Sequence, residues 1–372
     1  MADAVTTPSA SDREQLADGV VSGAGTDAAI IPSVSDRELP NYRFRFLLLI
    51  LAVAFCVIAS FVVGRFSMSI RDVVLLLLSP VFSVPEFWDD AMYSVVFNIR
   101  LPRILAAFLV GAALSTAGAA YQGMFQNPLV SPDILGASAG AGLGAALAIY
   151  FYLGTGAITL FAFIGGLVAV GTAYAISRLV RGNAILSMVL AGILVGSLFS
   201  ASISYIKLVA DTNDQLPAIT YWLMGSLAGA TMEDVCFAGV VIIIGIIPLY
   251  LLRWRMNVLT LGEDEAKSMG INTNLLRLVV IVCATFITAV SVSISGIIGW
   301  VGLVIPHFCR MVFGYDYRRI IPAAVIMGGG FLLLVDDFAR TIATTEVPLG
   351  ILTAFVGAPI FAYLLIVRGR ES

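Results

Sequence analysis

Few side chains in this 372-residue chain could do covalent chemistry, and their spacing suits none of the familiar kinds. His307 is the only histidine. One imidazole in an apolar segment is a structural hydrogen-bonding group more often than a ligand, and a haem-binding or redox subunit would want more. Cys56, Cys236, Cys283 and Cys309 lie in or at the ends of apolar runs with no short pair spacing, so neither a disulfide framework nor a cysteine metal site is expected. The phosphate-cradling pattern G-x-x-x-x-G-K-[ST] is absent, as are Ser-x-x-Lys, His-Glu-x-x-His and the nucleophile elbow. Gly136, Gly140 and Gly144 in GASAGAGLG are spaced by four, which on one helix makes a smooth stripe for close backbone packing rather than a nucleotide loop. The residues left to consider are a charged island at 259–271, LTLGEDEAKSMGI. Glu263, Asp264 and Glu265 follow Gly262 where the first turn of a helix favours acids, and Gly270 stands where a left-handed cap would end it. The island reads as one short helix, too polar to cross a membrane, that something outside the membrane grips. Function is then vectorial or structural, an enzyme of the membrane being the remotest reading.

The elements that position these residues are membrane helices. With 59% hydrophobic and 12% charged residues, and a mean hydropathy of +0.98, the chain is far from the ~25% charged content of soluble proteins. A bilayer core about 30 Å thick needs roughly 20 apolar residues per crossing, and 46–64, 184–206 and 347–367 each supply one uncharged crossing. The uncharged stretch 134–177 is two crossings joined near Gly154-Thr155-Gly156, and 278–309 breaks at Ser295-Gly296. The sequence predicts an all-α polytopic protein of ten transmembrane helices, at 46–65, 103–121, 134–152, 158–177, 184–206, 235–252, 275–295, 298–313, 320–338 and 350–367. An even number puts both termini on one side. Arg43, Arg45, Arg178, Arg181, Arg253, Arg255, Lys267, Arg277, Arg318, Arg319, Arg368 and Arg370 fall on that side, which the positive-inside rule makes cytoplasmic. Arg65, Arg71, Arg100, Arg103, Lys207 and Arg340 fall on the opposite face and need their own explanation. Residues 1–42 carry seven acids against two arginines and little aromatic content. They read as a disordered cytoplasmic tail, neither a secretory signal nor a transit peptide, ahead of a membrane domain at 43–372.

Two segments echo each other. Residues 114–136, LSTAGAAYQGMFQNPLVSPDILG, and 290–314, VSVSISGIIGWVGLVIPHFCRMVFG, each run from a Ser/Gly-rich helix through a break to a proline-marked segment ending in glycine. The first begins on a helix crossing inward and the second on one crossing outward, so the two halves form an inverted-topology repeat or share a chance likeness of Gly-rich apolar sequence. Asn127, Pro128 and Pro306 mark helix breaks near a path through the membrane, where freed backbone groups find water or protein.

Five strings then carry a family resemblance: NIRLPRILAAFLVGAALSTAGAAYQGMFQNPLVSPDILGASAGAG (98–142), YWLMGSL (221–227), LGEDEAKSMGI (261–271), GLVIPHFCR (302–310) and PLGILTAFVGAPIF (348–361). Together they resemble the permease subunits of bacterial ABC importers for ferric siderophores, haem and cobalamin, over nearly everything from 46 to 370. The resemblance implies a type II importer permease with ten helices, working as a dimer in the cell membrane with two cytoplasmic ATP-binding subunits and an external solute-binding protein. ATP and magnesium then belong to the ATPase, with no cofactor, metal or nucleic acid on this chain. It also implies roles. Leu261, Gly262, Glu263, Asp264, Glu265, Ala266, Lys267, Met269 and Gly270, within 259–272, match the coupling segment that sits in a cleft of the ATPase. Arg100, Arg103 and Arg340 match arginines presented to acids of the binding protein; without the resemblance they would pass for ordinary interface anchors. Asp336 matches an acid often found before that arginine, whereas Asp337 stands at a usually apolar position, so at least one of the pair should face protein, Arg340 or water. The rivals are an oxyanion importer of the same fold, a redox-complex anchor and an ion-gradient carrier. A carrier of that kind would place acids or histidines mid-membrane, whereas here the charges gather at span ends.

Overall fold

The computed structural model describes residues 42–64, 66–82, 85–180 and 184–368. Residues 1–41 of the expected tail, Arg65, Arg181 and Arg370 lie outside them, while Tyr42, expected as the end of the tail, begins the first helix. Among the described residues the chain is all helical: α1 (Tyr42–Val62), α2 (Ile70–Leu78), α3 (Asp90–Met124), α4 (Ala137–Tyr150), α5 (Thr155–Leu179), α6 (Ala184–Val209), α7 (Gln215–Met224), α8 (Met232–Leu259), α9 (Glu263–Ser268), α10 (Thr273–Ser295), α11 (Val301–Phe313), α12 (Tyr317–Thr341) and α13 (Leu349–Arg368). Every one of the ten predicted segments coincides with one of these helices. Seven of them are long and apolar enough to cross a membrane, and α4, α11 and α13 are further apolar helices.

Local chemistry explains the boundaries. Thr231 and Asp234 form a reciprocal capping box that starts α8, Asn272 caps α10 and Asp316 caps α12. In α3 a π turn at Val95–Arg100 precedes Pro102. Proline cannot donate the α-helical bond and crowds the carbonyl four residues back, and a π turn absorbs both faults without ending the helix. The core is built on α3, α10 and α12, whose faces are mostly buried. Outward faces of α1, α6 and α8 expose Phe55, Leu190, Leu198, Ile244 and Leu251, as helices in lipid do.

Three expectations are corrected. The spans at 134–152 and 298–313 are shorter helices of 14 and 13 residues. At 1.5 Å per residue they rise only about 20 Å, against a core of about 30 Å. Irregular chain at 125–136 and 296–300 precedes these helices, with Val130 and Leu135 buried in the first segment and Ile298 in the second. Pro306 does not break its helix: α11 runs through it. The carbonyl that Pro306 leaves without a helical donor is that of Gly302, and the buried Gln122 side chain donates to it at 3.4 Å and to Leu303 O at 3.3 Å. The break lies earlier, where Ser295 ends α10 as expected and Gly296 turns at φ +67°. Two short helices, α2 and α7, were not expected at all.

α12 starts beside the end of α8, with Tyr317 N donating to Asn257 Oδ1 at 2.7 Å. Its 25 residues rise roughly 37 Å, so Arg340 and α9 lie at opposite ends of the bundle.

Candidate functional site

At one end the charged island folds as foreseen. Gly262 at φ +138° and Gly270 at φ +77° flank α9, conformations that a side chain would strain. Glu263 points inward: Lys267 Nζ reaches its carboxylate at 2.8 Å and Arg277 Nη1, from the buried start of α10, at 2.8 Å. Lys267, donating to the carboxylate, together with Arg277 holds the Glu263 carboxyl below its usual range. Ala266 is fully buried under the helix, and Ile271 N donates back to Ala266 O at 3.0 Å. Leu261, Asp264, Glu265, Lys267 and Met269 face outward. The result is a polar ridge with two exposed apolar ends, fixed to α10 by Arg277. Gln126, just beyond α3, donates to Leu259 O at 2.7 Å and ties the same ridge to α3.

Beside it lie the expected breaks. Asn127 and Pro128 fall in the irregular segment after α3, where Leu129 N donates to Asn127 Oδ1 at 2.9 Å in an Asx turn. Gln122 organises this region: it donates to Val130 O at 3.1 Å and accepts from Arg310 Nη2 at 2.6 Å, as well as serving the α11 carbonyls. A cavity of about 220 Å³ lies among Gln122, Asn127, Thr260, His307 and Arg310. Ligand pockets begin near 300 Å³, so this one does not suit a metal chelate.

At the opposite end the three arginines converge, and the arrangement differs from guanidinium groups held out into solution. Arg100, Arg103 and Arg340 are only 4%, 5% and 8% exposed. Arg103 Nε and Nη2 both donate to Asp336, at 2.9–3.0 Å, and Arg103 Nη1 donates to both oxygens of Glu346, at 2.8 and 3.0 Å. Arg340 Nε lies 3.3 Å from Asp336 Oδ2, and Arg340 Nη2 pairs with Asp337. Asp337 also accepts from Ser60 Oγ of α1 at 2.6 Å, so both adjacent acids face protein. Arg100 donates to the carbonyls of Phe61 and Phe66. The cluster therefore clasps α1, α3, α12 and the connection after α12.

The glycine stripe is real for two of its three members. A Cβ on Gly140 would stand 2.3 Å from Gly165 O, and one on Gly144 2.0 Å from Phe161 O, so α4 and α5 touch backbone to backbone. Gly136 is corrected: it is the left-handed residue before α4, at φ +82°, and lies nearest Gly196 of α6. Gly144→Ala is expected to destabilise the protein by about 1–3 kcal/mol through overpacking, read as earlier thermal unfolding in detergent; an unchanged unfolding curve would contradict this packing. Between α7, the 296–300 turn and α13 lies an open groove of about 690 Å³ lined by Met224, Ile297, Trp300, Ile351 and Phe355.

Sequence reasoning missed Ser60, Gln122, Arg277 and Glu346 as members of these sites. Glu346 left one trace, as an acid alone in the short gap between two apolar runs; the others left none.

A model of the FecCD transport family matches residues 49–367. The Haemophilus influenzae molybdate import system permease protein MolB is 36% identical over 326 residues, covering 88% of this chain and 95% of that protein. The Yersinia pestis hemin transport system permease protein HmuU is 34% identical over 350 residues, covering 91% of this chain and 99% of its own length. A solved structure described as an inward-facing conformation of a metal-chelate type ABC transporter superposes with a TM-score of 0.79 at 36% identity, over 87% of this chain and 99% of that one. Breadth of coverage, together with the helical order already described, decides the assignment: this chain is a multi-pass membrane permease subunit of the FecCD transport family, distinct from the ATPase of such a transporter.

Proposed function

We propose that the chain forms the translocation pathway of an ATP-driven, binding-protein-dependent importer of a metal chelate: a ferric siderophore, haem or cobalamin. The match of residues 49–367 to the FecCD transport family carries the reading, and the geometry of the two ends supports it. The ten apolar helices are taken as ten spans with an inverted-repeat core and both termini cytoplasmic. The outward ridge of α9 is the coupling surface, seated in a cleft of each of two ATPase subunits. Glu263, paired with Arg277, and the short chain from Gly270 to Asn272 both join α9 to α10, which is the kind of link a lever requires. The arginine cluster lies at the external end, where the solute-binding protein docks against acids complementary to Arg100, Arg103 and Arg340. A second copy of the chain completes the pathway, and the open apolar groove beside α13 suits that interface. No bond is made or broken by the permease.

A second reading keeps the same machinery with an oxyanion as cargo, favoured by the 36% identity to a molybdate import permease. Purification tests the shared machinery. The chain expressed with its neighbours should bring down a Walker-motif ATPase in equal number; a chain that purifies alone and transports in response to an ion gradient would overturn both readings.

A further inference from the structure

The arginine cluster is formally balanced, three arginines against three acids: Arg103 and Arg340 pair with Asp336, Asp337 and Glu346, while Arg100 is held by backbone carbonyls. The three acids are not equivalent. Asp336 and Asp337 are set on α12, one turn before Arg340, and are 0% and 9% exposed. Glu346 is carried on the non-helical connection between α12 and α13, and its side chain is 29% exposed. Arg103 also grips its two partners differently. Asp336 receives two nitrogens, Nε to Oδ2 and Nη2 to Oδ1, in the forked geometry that makes Arg–carboxylate pairs strong. Both oxygens of Glu346 share the single nitrogen Nη1. One side of Arg103 is thus committed to the core, and the other is closed by an acid that can leave without unmaking a helix.

We infer that Glu346 is an internal stand-in for a carboxylate of the docking partner. The partner's acid replaces it on Arg103 Nη1, and the connection bearing Glu346 swings toward solvent. This inference rests on the reading of the external end as the docking face. The exchange conserves charge, because the cluster holds one uncompensated cation while Glu346 is away and is balanced again when the partner's acid enters. The pair is part-buried, with Arg103 6% and Glu346 29% exposed, but Glu346 reaches solvent where Asp336 does not, so Glu346 is the more readily displaced of the two carboxylates on Arg103. The open form is only a fraction of the population, and apparent docking affinity falls by that fraction. The acidic partner and the chain's own glutamate therefore compete for one nitrogen.

The test measures binding of the cognate solute-binding protein to the permease–ATPase complex in nanodiscs. Glu346→Gln, which keeps size and removes charge, is expected to tighten docking roughly threefold to tenfold. Glu346→Asp, which keeps charge and shortens reach, should fall between it and the parent. Arg100→Gln serves as the separate probe of the docking face, since Arg100 holds backbone carbonyls and none of the three acids. If Arg100→Gln weakens docking while Glu346→Gln leaves it unchanged or weaker, the exchange is wrong and the docking face stands. If neither substitution changes the affinity, the docking face itself is misplaced and the exchange falls with it.

Discussion

Asp336→Asn is expected to destabilise the folded permease by about 3–5 kcal/mol, the usual cost of removing one partner from a buried ion pair. Asp336 is fully buried and holds two nitrogens of Arg103, with Arg340 Nε at 3.3 Å. A neutral amide leaves the two guanidinium groups of α3 and α12 repelling each other where water cannot screen them. Asp337→Asn should cost less, because Ser60 Oγ can still bond the amide oxygen and the site is nearer solvent. Thermal unfolding in detergent, followed by tryptophan fluorescence, orders the two: parent highest, then the Asp337 variant, then the Asp336 variant. An Asp336→Asn protein as stable as its parent would mean that the clasp does not hold the three helices.

The second large effect lies at the other end. Glu263→Lys together with Asp264→Lys is expected to lower ATP-driven transport by about tenfold or more, since two reversed charges at a complementary interface cost upward of the 1.4 kcal/mol that a factor of ten requires. The first substitution would set a third cation against Lys267 and the buried Arg277, releasing α9 from α10, while the second would reverse the charge of the outward ridge. ATP hydrolysis should persist in the assembled complex with little transport to match it. The single change Asp264→Lys separates the two contributions, because it spares the anchor to Arg277. A double variant with normal transport per ATP hydrolysed would remove α9 from its proposed role.

Much of this was legible in the sequence because hydrophobic length is a local property. Ten apolar runs marked ten helices, and the positions of Gly262 and Gly270 alone bracket α9. What was not legible is long-range. Pro306 reads as a breaker, and only the fold reveals that Gln122, 180 residues from Gly302, supplies the missing donor. The three arginines showed up as charges on a face where they are disfavoured, and the adjacent Asp336 and Asp337 pointed to Arg340 as one partner, but nothing local told that Asp336 would hold Arg103 or that Glu346 would join it. The short helices α2 and α7 escaped because a nine- or ten-residue helix is below the length at which span counting works. Gly136 failed for a related reason: spacing by four places residues on one face only if all of them are helical, and the first of the three is the turn before the helix.

Uptake into proteoliposomes tests the central claim most directly. The permease, its ATPase and its binding protein are reconstituted, and accumulation of ferric siderophore, haem, cobalamin and molybdate is followed with ATP on the ATPase side. One class of cargo is expected to accumulate, and only with ATP, the ATPase and the binding protein present together. Accumulation by the permease alone, driven by a proton or sodium gradient and indifferent to ATP, would contradict it.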